Sequence, residues 1–340
     1  MTIGAPPVLM DNRLPDLAFD RTVPRDPVHR RALSELFLTD SKQVDQQLFV
    51  AAAQLPPSHS YYTDHALGQD RLDPLLLLEC CRQAETYAVH AHFGLPRNTK
   101  FVLQKWSLRL LDPNAARRVR GPAELLIAAH VRDPRWRGDQ LRGLRYEMDL
   151  TLAGSPVGVV GMEVSYLPEE FYTVLRRRGH TSPPPDSDSF RAGPPTSSVP
   201  AAGVARVSQH NVLLCDAVTS DQEVRATVRV AGEHASLFDH PQDHLPGMTL
   251  MEAGRQAALL AVTEFTGVAA VDAVLGGMRM AFDNYVELDQ PVTVSAHRPE
   301  PGSAVVPVTV EQRGATAAAG WFHLTGPDAG TAPTDGVSCG

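Results

Sequence analysis

The text Glu-x-x-Arg-Gln-Ala occurs twice in this chain, as Glu79-Cys80-Cys81-Arg82-Gln83-Ala84 and as Glu252-Ala253-Gly254-Arg255-Gln256-Ala257, with every matched residue 173 positions apart. Each copy follows an Asp-His pair, Asp64-His65 in the first and Asp239-His240 in the second. Further upstream, Leu36 to Asp40 corresponds to Val212 to Asp216 at an offset of 176. Two copies at so long a period indicate duplicated domains rather than a solenoid. At 340 residues, half the chain is a typical domain with room for its own core.

Each copy reads in one order. A strand (Gln47 to Ala53, Glu223 to Val230) precedes the Asp-His loop, and a long apolar helix follows it. The first helix is expected from about Leu75 to Phe93, ending at Gly94 and Pro96. Four strand-like stretches come next: Lys100 to Leu111, Ala123 to Val131, Leu144 to Leu152 and Val157 to Tyr166. Their counterparts are Leu275 to Tyr285, Val292 to His297, Ala304 to Val310 and Ala318 to Leu324. A helix that is apolar on most sides must be buried on most sides, so the antiparallel strands must curl around it. The expected fold is α+β, a tandem double hotdog with two long central helices wrapped by antiparallel sheet. The expected boundaries are an irregular leader over 1–27, an N-terminal hotdog over 28–168, a Pro-rich linker over 169–203, a C-terminal hotdog over 204–328 and a flexible tail over 329–340.

On a helix, Glu252, Arg255 and Gln256 fall at i, i+3 and i+4 and share one face, as do Glu79, Arg82 and Gln83. A single such ion pair is ordinarily a surface feature stabilising by about 0.2–0.5 kcal/mol. Here the triplet sits among Leu75 to Leu78 in one copy and Leu250, Met251 and Ala257 to Leu260 in the other, and it survives while most of the surrounding sequence has diverged. Charges at an apolar interface are costly unless paired, and they perturb one another's protonation, so chemistry is a reason to keep them.

Composition removes other classes. A net charge of −8 argues against a general nucleic-acid binder, and Arg176-Arg177-Arg178 reads as a solvated helix end. Cys80, Cys81, Cys215 and Cys339 show no metal spacing, so neither zinc nor structural disulfides are expected, and no cofactor is implied. No apolar run approaches a membrane span, and the N-terminus, with Asp11, Asp16 and early prolines, does not resemble a signal peptide; a cytoplasmic protein is expected.

An Asp-His loop, a Pro-Gly turn and a Glu five residues beyond the Gly resemble the β-hydroxyacyl-ACP dehydratases, hotdog dimers in which a loop His and a helix-start N–H of one subunit meet a helix Glu of the other. The fuller text is His234 to Phe238, Asp239-His240, Asp243-His244, Pro246-Gly247-Met248 and Glu252 to Ala257. It resembles the A-factor biosynthesis hotdog family (AfsA type), including that family's two tandem copies, over about Val28 to Leu324. The resemblance implies an acyltransferase that joins a β-ketoacyl chain, carried on acyl carrier protein or as a CoA thioester, to the primary hydroxyl of dihydroxyacetone phosphate. The phosphorylated ester leads to γ-butyrolactone, butenolide or furan signalling molecules in actinomycetes.

By that geometry the two composite sites are unequal. Helix-start N–H groups suit a developing oxyanion, and Gly247 offers one where the first copy has Pro74, which has none. The thioester carbonyl is therefore expected near Gly247 and Met248, with Glu79 of the other copy facing it as general base. His240 or His244 is expected at the same site, although His240 stands 12 residues before Glu252 where the dehydratases have 14, a spacing His65 and Glu79 keep. Arg255 is expected on the phosphate or the β-keto oxygen, Gln83 and Gln256 as orienting amides, and Arg82 and Glu252 beside the substrate. A thioesterase or dehydratase on the same scaffold, or a non-enzymatic acyl-binding regulator whose polar triplet only holds the halves together, are the other readings. His65, His240 and His244 can equally be loop-fixing residues, and His59 and His234 lean further that way.

Overall fold

The computed structural model describes residues 15–66, 71–113, 116, 121–178, 183–190 and 197–326. The first half contains β1 (Leu38–Gln43), β2 (Leu48–Leu55), α1 (Pro74–Ala91), β3 (Lys100–Leu110), β4 (Ala123–Arg137), β5 (Gln140–Leu152) and β6 (Ser155–Leu167). After α2 (Glu169–Arg177) the second half repeats the order with β7 (Leu214–Thr219), β8 (Glu223–Val228), α3 (Gly247–Thr266), β9 (Val274–Phe282), β10 (Thr293–His297), β11 (Val305–Gln312) and β12 (Ala315–Thr325). Among the described residues the strands form one sheet in the order β1-β2-β4-β5-β6-β3-β9-β12-β11-β10-β8-β7. The second six are the first six in reverse, as a pseudo-twofold requires. The halves join where β3 pairs antiparallel with β9, with Trp106 opposite Met280 and Leu108 opposite Met278. The architecture is the tandem double hotdog expected from the duplication.

Both central helices are apolar nearly all round, and the sheet covers them. Leu75, Leu76, Leu77, Leu78, Cys80 and Cys81 are buried in α1, as are Leu250, Met251, Ala253, Ala257 and Ala258 in α3. Each buried leucine contributes roughly 1.5–3 kcal/mol, so these helices are fixed by packing rather than by propensity. Their starts differ. Asp73 caps α1, its carboxylate accepting from Leu75 N at 3.0 Å, and Pro74 opens the first turn where no N–H is needed. Pro246 precedes α3 and supplies no side-chain cap. At the other end α3 stops at Gly267, whose φ of 75° closes the helix in the left-handed region.

One expected stretch of linker is built differently. Residues 169–203 begin with α2, a helix with Glu169 and Glu170 in its first turn and Arg176 and Arg177 in its last, a charge order that complements the helix dipole. Arg176 is not a solvated helix end: it is buried and paired with Asp243 and Glu287 of the second half, while Arg177 is exposed. An arginine run hides such a contact because its partners lie far along the chain. Cys80, Cys81 and Cys215 are buried free thiols, Cys339 and the 329–340 tail fall outside the described residues, and 1–27 and 169–203 are described only in part.

Candidate active site

The pseudo-twofold places the start of each central helix against the polar triplet of the other, giving two composite half-sites. In the first, the Pro246-Gly247 start of α3 faces Glu79 and Arg82 of α1 across a cavity of about 590 Å³. That is within the roughly 300–1,000 Å³ of small-molecule pockets. His240, His244, Gly247, Met248, Glu79 and Arg82 all line it, with an apolar section from Leu103, Trp106, Met162, Leu250 and Phe282. Six of the expected residues are thus brought together.

Glu79 is buried and its carboxylate is fully engaged. Arg82 donates to Oε2 through Nε at 2.9 Å and to Oε1 through Nη2 at 2.9 Å, Gln83 donates to Oε1 at 2.7 Å, and Arg30 donates to the same oxygen. Burial works against the charged form, but Arg30 and Arg82 outweigh it and hold the carboxyl at about 2. Gln83 also ties α1 to the start of β1, accepting from Phe37 N at 2.9 Å and donating to Glu35 O at 2.8 Å. It lies behind Glu79 and does not line the cavity. Arg82 keeps 22% of its side chain exposed, and among the described residues its Nη1 meets only Thr86 Oγ1, at 3.5 Å.

The Asp-His loop divides its work. Asp239 accepts from Arg31 N at 2.6 Å and Ala32 N at 3.0 Å and so pins the segment carrying Arg30. His240 lies in the cavity wall, its Nε2 2.5 Å from the Gln242 amide nitrogen and its buried Nδ1 with no partner among the described residues. Burial, then Arg82, Arg30 and His29, push its pKa down to about 3, so the imidazole is neutral. His244 is held by Asp243 at 2.6 Å and packs edge-on to Tyr285 at 4.9 Å. His59 and His234 fix loops: the His59 ring accepts from Tyr61 N and Tyr62 N at 3.2 Å each, and His234 meets Asn211 at 2.7 Å.

The start of α3 is open. With Pro246 ahead of it, no side chain takes the first N–H groups, and Gly247 and Met248 face the cavity. A Cβ on Gly247 would come within 2.7 Å of Leu103 Cδ2 and 3.5 Å of the Phe282 ring, so the absence of a side chain keeps this corner clear.

The second half-site contains the same residue types, here buried and paired with one another. Arg255 Nη1 donates to Asp73 Oδ1 at 2.7 Å and its Nη2 pairs with Glu252 at 2.7 Å. Arg206 donates to Glu252 at 2.8 Å and stacks over the Tyr61 ring at 4.4 Å, and Gln256 donates to Glu252 at 2.6 Å. Glu252, Gln256, Arg206 and Arg255 are all buried. The structure therefore separates Arg255, Glu252 and Gln256 from Gly247 and the cavity. The physical reason is Asp73, which stands in the frame of Pro246 and takes the guanidinium that would otherwise be free. The arginine that lines the cavity is Arg82, where Arg255 was expected.

Four participants escaped the sequence reading. Arg30 and Arg206 sit at the same 176 offset that aligns Leu36 with Val212, so the repeat register was their signal. Asp73 is visible as the mismatch with Pro246. Glu85, a buried cavity residue opposite Ala258 in the repeat, has no motif at all. Its carboxyl accepts from Tyr166 Oη at 2.8 Å and Thr86 Oγ1 at 3.1 Å, and burial pushes its pKa up to about 7.

Comparison with known proteins bears on what this cavity is for. The A-factor biosynthesis hotdog domain matches residues 13–168 and 187–325. A protein named 2-oxo-3-(phosphooxy)propyl 3-oxoalkanoate synthase from Streptomyces virginiae is 34% identical over 81% of this chain and 87% of its own length. One of the same name from Streptomyces coelicolor is 31% identical over 85% and 86%. Among solved structures, one described as an oleoyl thioesterase from Lactobacillus plantarum aligns over 82% of this chain and 96% of its own at a TM-score of 0.50 and 11% identity, a likeness of fold alone. Among the described residues no helix is long and apolar enough to cross a membrane. On a two-copy match that spans both hotdogs, and on relatives above 30% identity over most of their length, the chain belongs to the A-factor biosynthesis hotdog family.

Proposed function

We infer that this chain is an acyltransferase of the 2-oxo-3-(phosphooxy)propyl 3-oxoalkanoate synthase type, transferring a 3-oxoacyl chain from a thioester to the hydroxyl of dihydroxyacetone phosphate. The observation that carries the reading, beside the named relatives, is one cavity that combines an uncapped helix start, a neutral imidazole, an exposed arginine and an apolar section. The thioester carbonyl lies against the Gly247 and Met248 N–H groups, where the helix start stabilises the negative oxygen of the tetrahedral intermediate. The acyl chain lies along Leu103, Trp106 and Met162. The phosphate is held by Arg82, with Lys100 and Arg97 nearer the rim.

His240 takes the hydroxyl proton. The Gln242 amide nitrogen meets Nε2, so the imidazole proton stands on Nδ1 and Nε2 is the basic nitrogen, reached by the acceptor hydroxyl as it displaces the Gln242 amide. As the acceptor oxygen bonds to the carbonyl carbon, its proton passes to Nε2. When the C–S bond breaks, the same proton goes to the departing thiolate, leaving the ester and a free thiol. A dianionic phosphate offsets the charge of Arg82 and Arg30 and so raises the basicity of His240 when acceptor is bound. Glu79, with four donors on its two oxygens, is better suited to aiming Arg82 and Arg30 than to accepting a proton, and His244 supports the loop beside it.

The donor is carried on acyl carrier protein, in the cytoplasm. The alternative hydrolytic chemistry differs in one dependence. Mass spectrometry of the product from a 3-oxoacyl thioester should show the phosphorylated ester only when dihydroxyacetone phosphate is present; thiol release at the same rate without it would mean a thioesterase instead.

A further inference from the structure

Helix α2 has two unlike faces. Tyr172 and Arg176 point into the molecule: the Tyr172 hydroxyl donates to Asp243 at 2.7 Å, and Arg176 donates to Glu287 at 2.7 and 2.8 Å and to Asp243 at 3.0 Å. These bonds fasten a helix that follows the first hotdog onto the second, at the rim of the cavity that Tyr172 lines. The outward face carries Phe171, Val174 and Leu175, with exposures of 51%, 57% and 40%, at i, i+3 and i+4. Beside it the β4–β5 hairpin presents Trp136, 60% exposed, and Arg142 lies over the Phe171 ring at 5.7 Å. A shallow groove lined by Trp136, Arg142, Glu169 and Glu170 joins hairpin and helix.

The ion pairs of Arg176 with Asp243 and Glu287 hold α2 so that these apolar groups face outward. Around them the charge is mixed, with Asp139, Glu169 and Glu170 at the groove and arginines at its edges. The protein has a net charge of −8, but here Arg137 and Arg177 are exposed and have no acidic partner among the described residues, while Lys100 pairs with Glu169 and Arg97 with Asp26. An apolar centre with unpaired arginines on both the hairpin and the helix end matches a small acidic partner.

We propose that the outward face of α2, with Trp136 and the arginines beside it, is the docking surface for the acyl carrier protein that delivers the donor. The inference rests on the carrier-bound donor of the reading above. A carrier seated there sends its thioester-bearing arm over Tyr172 into the cavity, so one helix both receives the partner and forms the edge its cargo crosses.

Direct binding separates this proposal from the activity. Phe171→Glu with Val174→Glu should leave folding intact, because both side chains are largely exposed. Binding of an acyl carrier protein bearing a non-hydrolysable acyl amide, read by fluorescence anisotropy, should weaken more than tenfold in this variant. Arg137→Glu with Arg177→Glu should weaken it about as much and flatten its salt dependence. Turnover of the corresponding N-acetylcysteamine thioester should stay within twofold of the parent in both. Unchanged carrier binding by both variants would overturn the proposal. So would a dimer of the parent that the Phe171 variant makes monomeric, since the face would then be a contact between copies. A parent that binds carrier but turns over neither thioester would refute the acyltransferase reading and leave the docking surface standing.

Discussion

The two half-sites place the same Glu, Arg and Gln on the same face of two related helices, and their fates differ because of the residues that meet them. At the α1 start, Asp73 caps the helix through Leu75 N and pairs with Arg255 at 2.7 Å, so one carboxylate occupies both an N–H of the helix start and an arm of the guanidinium. At the α3 start, Pro246 can do neither, and Arg82 and the first N–H groups face open space. A duplicated polar triplet is thus a structural clasp in one setting and the wall of a pocket in the other. What decides between them is a carboxylate about one turn away. Chemistry in this scaffold comes from what is withheld from the triplet as much as from the triplet itself.

The strongest way to break the comparison is to copy the closed half onto the open one. In Pro246→Asp the new carboxylate stands where it can accept from Met248 N and pair with Arg82, as Asp73 does with Leu75 N and Arg255. Loss of an oxyanion donor alone costs about 10²–10³ in kcat, and the arginine is lost with it, so kcat should fall by about 10³ while the urea midpoint holds or rises. Activity within tenfold of the parent would show that the helix start is not where the carbonyl is held.

The reverse change tests the clasp. Asp73→Ala leaves Arg255 and Arg206 sharing only Glu252 in a buried setting, and breaking one member of such a cluster costs about 3–5 kcal/mol. Urea unfolding should register that loss, and kcat per folded molecule should stay near the parent value because Asp73 does not line the cavity. A large fall in kcat without a fall in stability would mean that the closed half also takes part in turnover.

These two changes also mark what could be read from the sequence and what could not. The duplication was legible because Glu79, Arg82 and Gln83 recur at one offset, and a helix apolar on most sides needs a sheet around it; the fold followed. The Gly247 and Pro74 contrast pointed to the α3 start as the open one. Arg255 could not be told from Arg82 by such logic, because the two are identical in local text and differ only in whether an aspartate stands across an interface. Arg176 was illegible for a related reason: it pairs with carboxylates in another segment, Asp243 and Glu287. Sequence spacing reports contacts along a helix well and contacts between distant segments poorly.

Glu85 sharpens the comparison further, since the repeat has Ala258 in its place. Burial pushes its carboxyl up to about 7, with the Tyr166 and Thr86 hydrogen bonds and the field of Arg82 opposing. The folded state then holds this proton more tightly than the unfolded chain, whose carboxyl titrates near the usual 4.5. Stability from this group is complete below that pH and is lost as pH rises through about 7. The full loss is about 3 kcal/mol at 1.36 kcal/mol per unit. Glu85→Gln should remove this decline, so the difference in unfolding free energy between variant and parent should grow between pH 4.5 and 8.5. A difference that stays flat with pH would mean that Glu85 is ionised throughout in the folded protein.

The smallest effect tests the space at the helix start rather than its charge. In Gly247→Ala the new methyl would meet Leu103 Cδ2 at 2.7 Å. That atom is the far end of a flexible side chain bordering a cavity, so it can swing aside, and the stability cost should be about 1 kcal/mol, at the low end for overpacking. The space it swings into is the space offered to the acyl chain. The N–H of residue 247 survives the substitution, so oxyanion stabilisation is kept and the loss should appear in KM for long acyl donors, by about tenfold. Short donors, which do not reach Leu103, should be handled nearly as before. A fall in kcat shared equally by long and short donors would place the carbonyl, and not the chain, against this corner, and the acyl path would then have to leave the start of α3 in another direction.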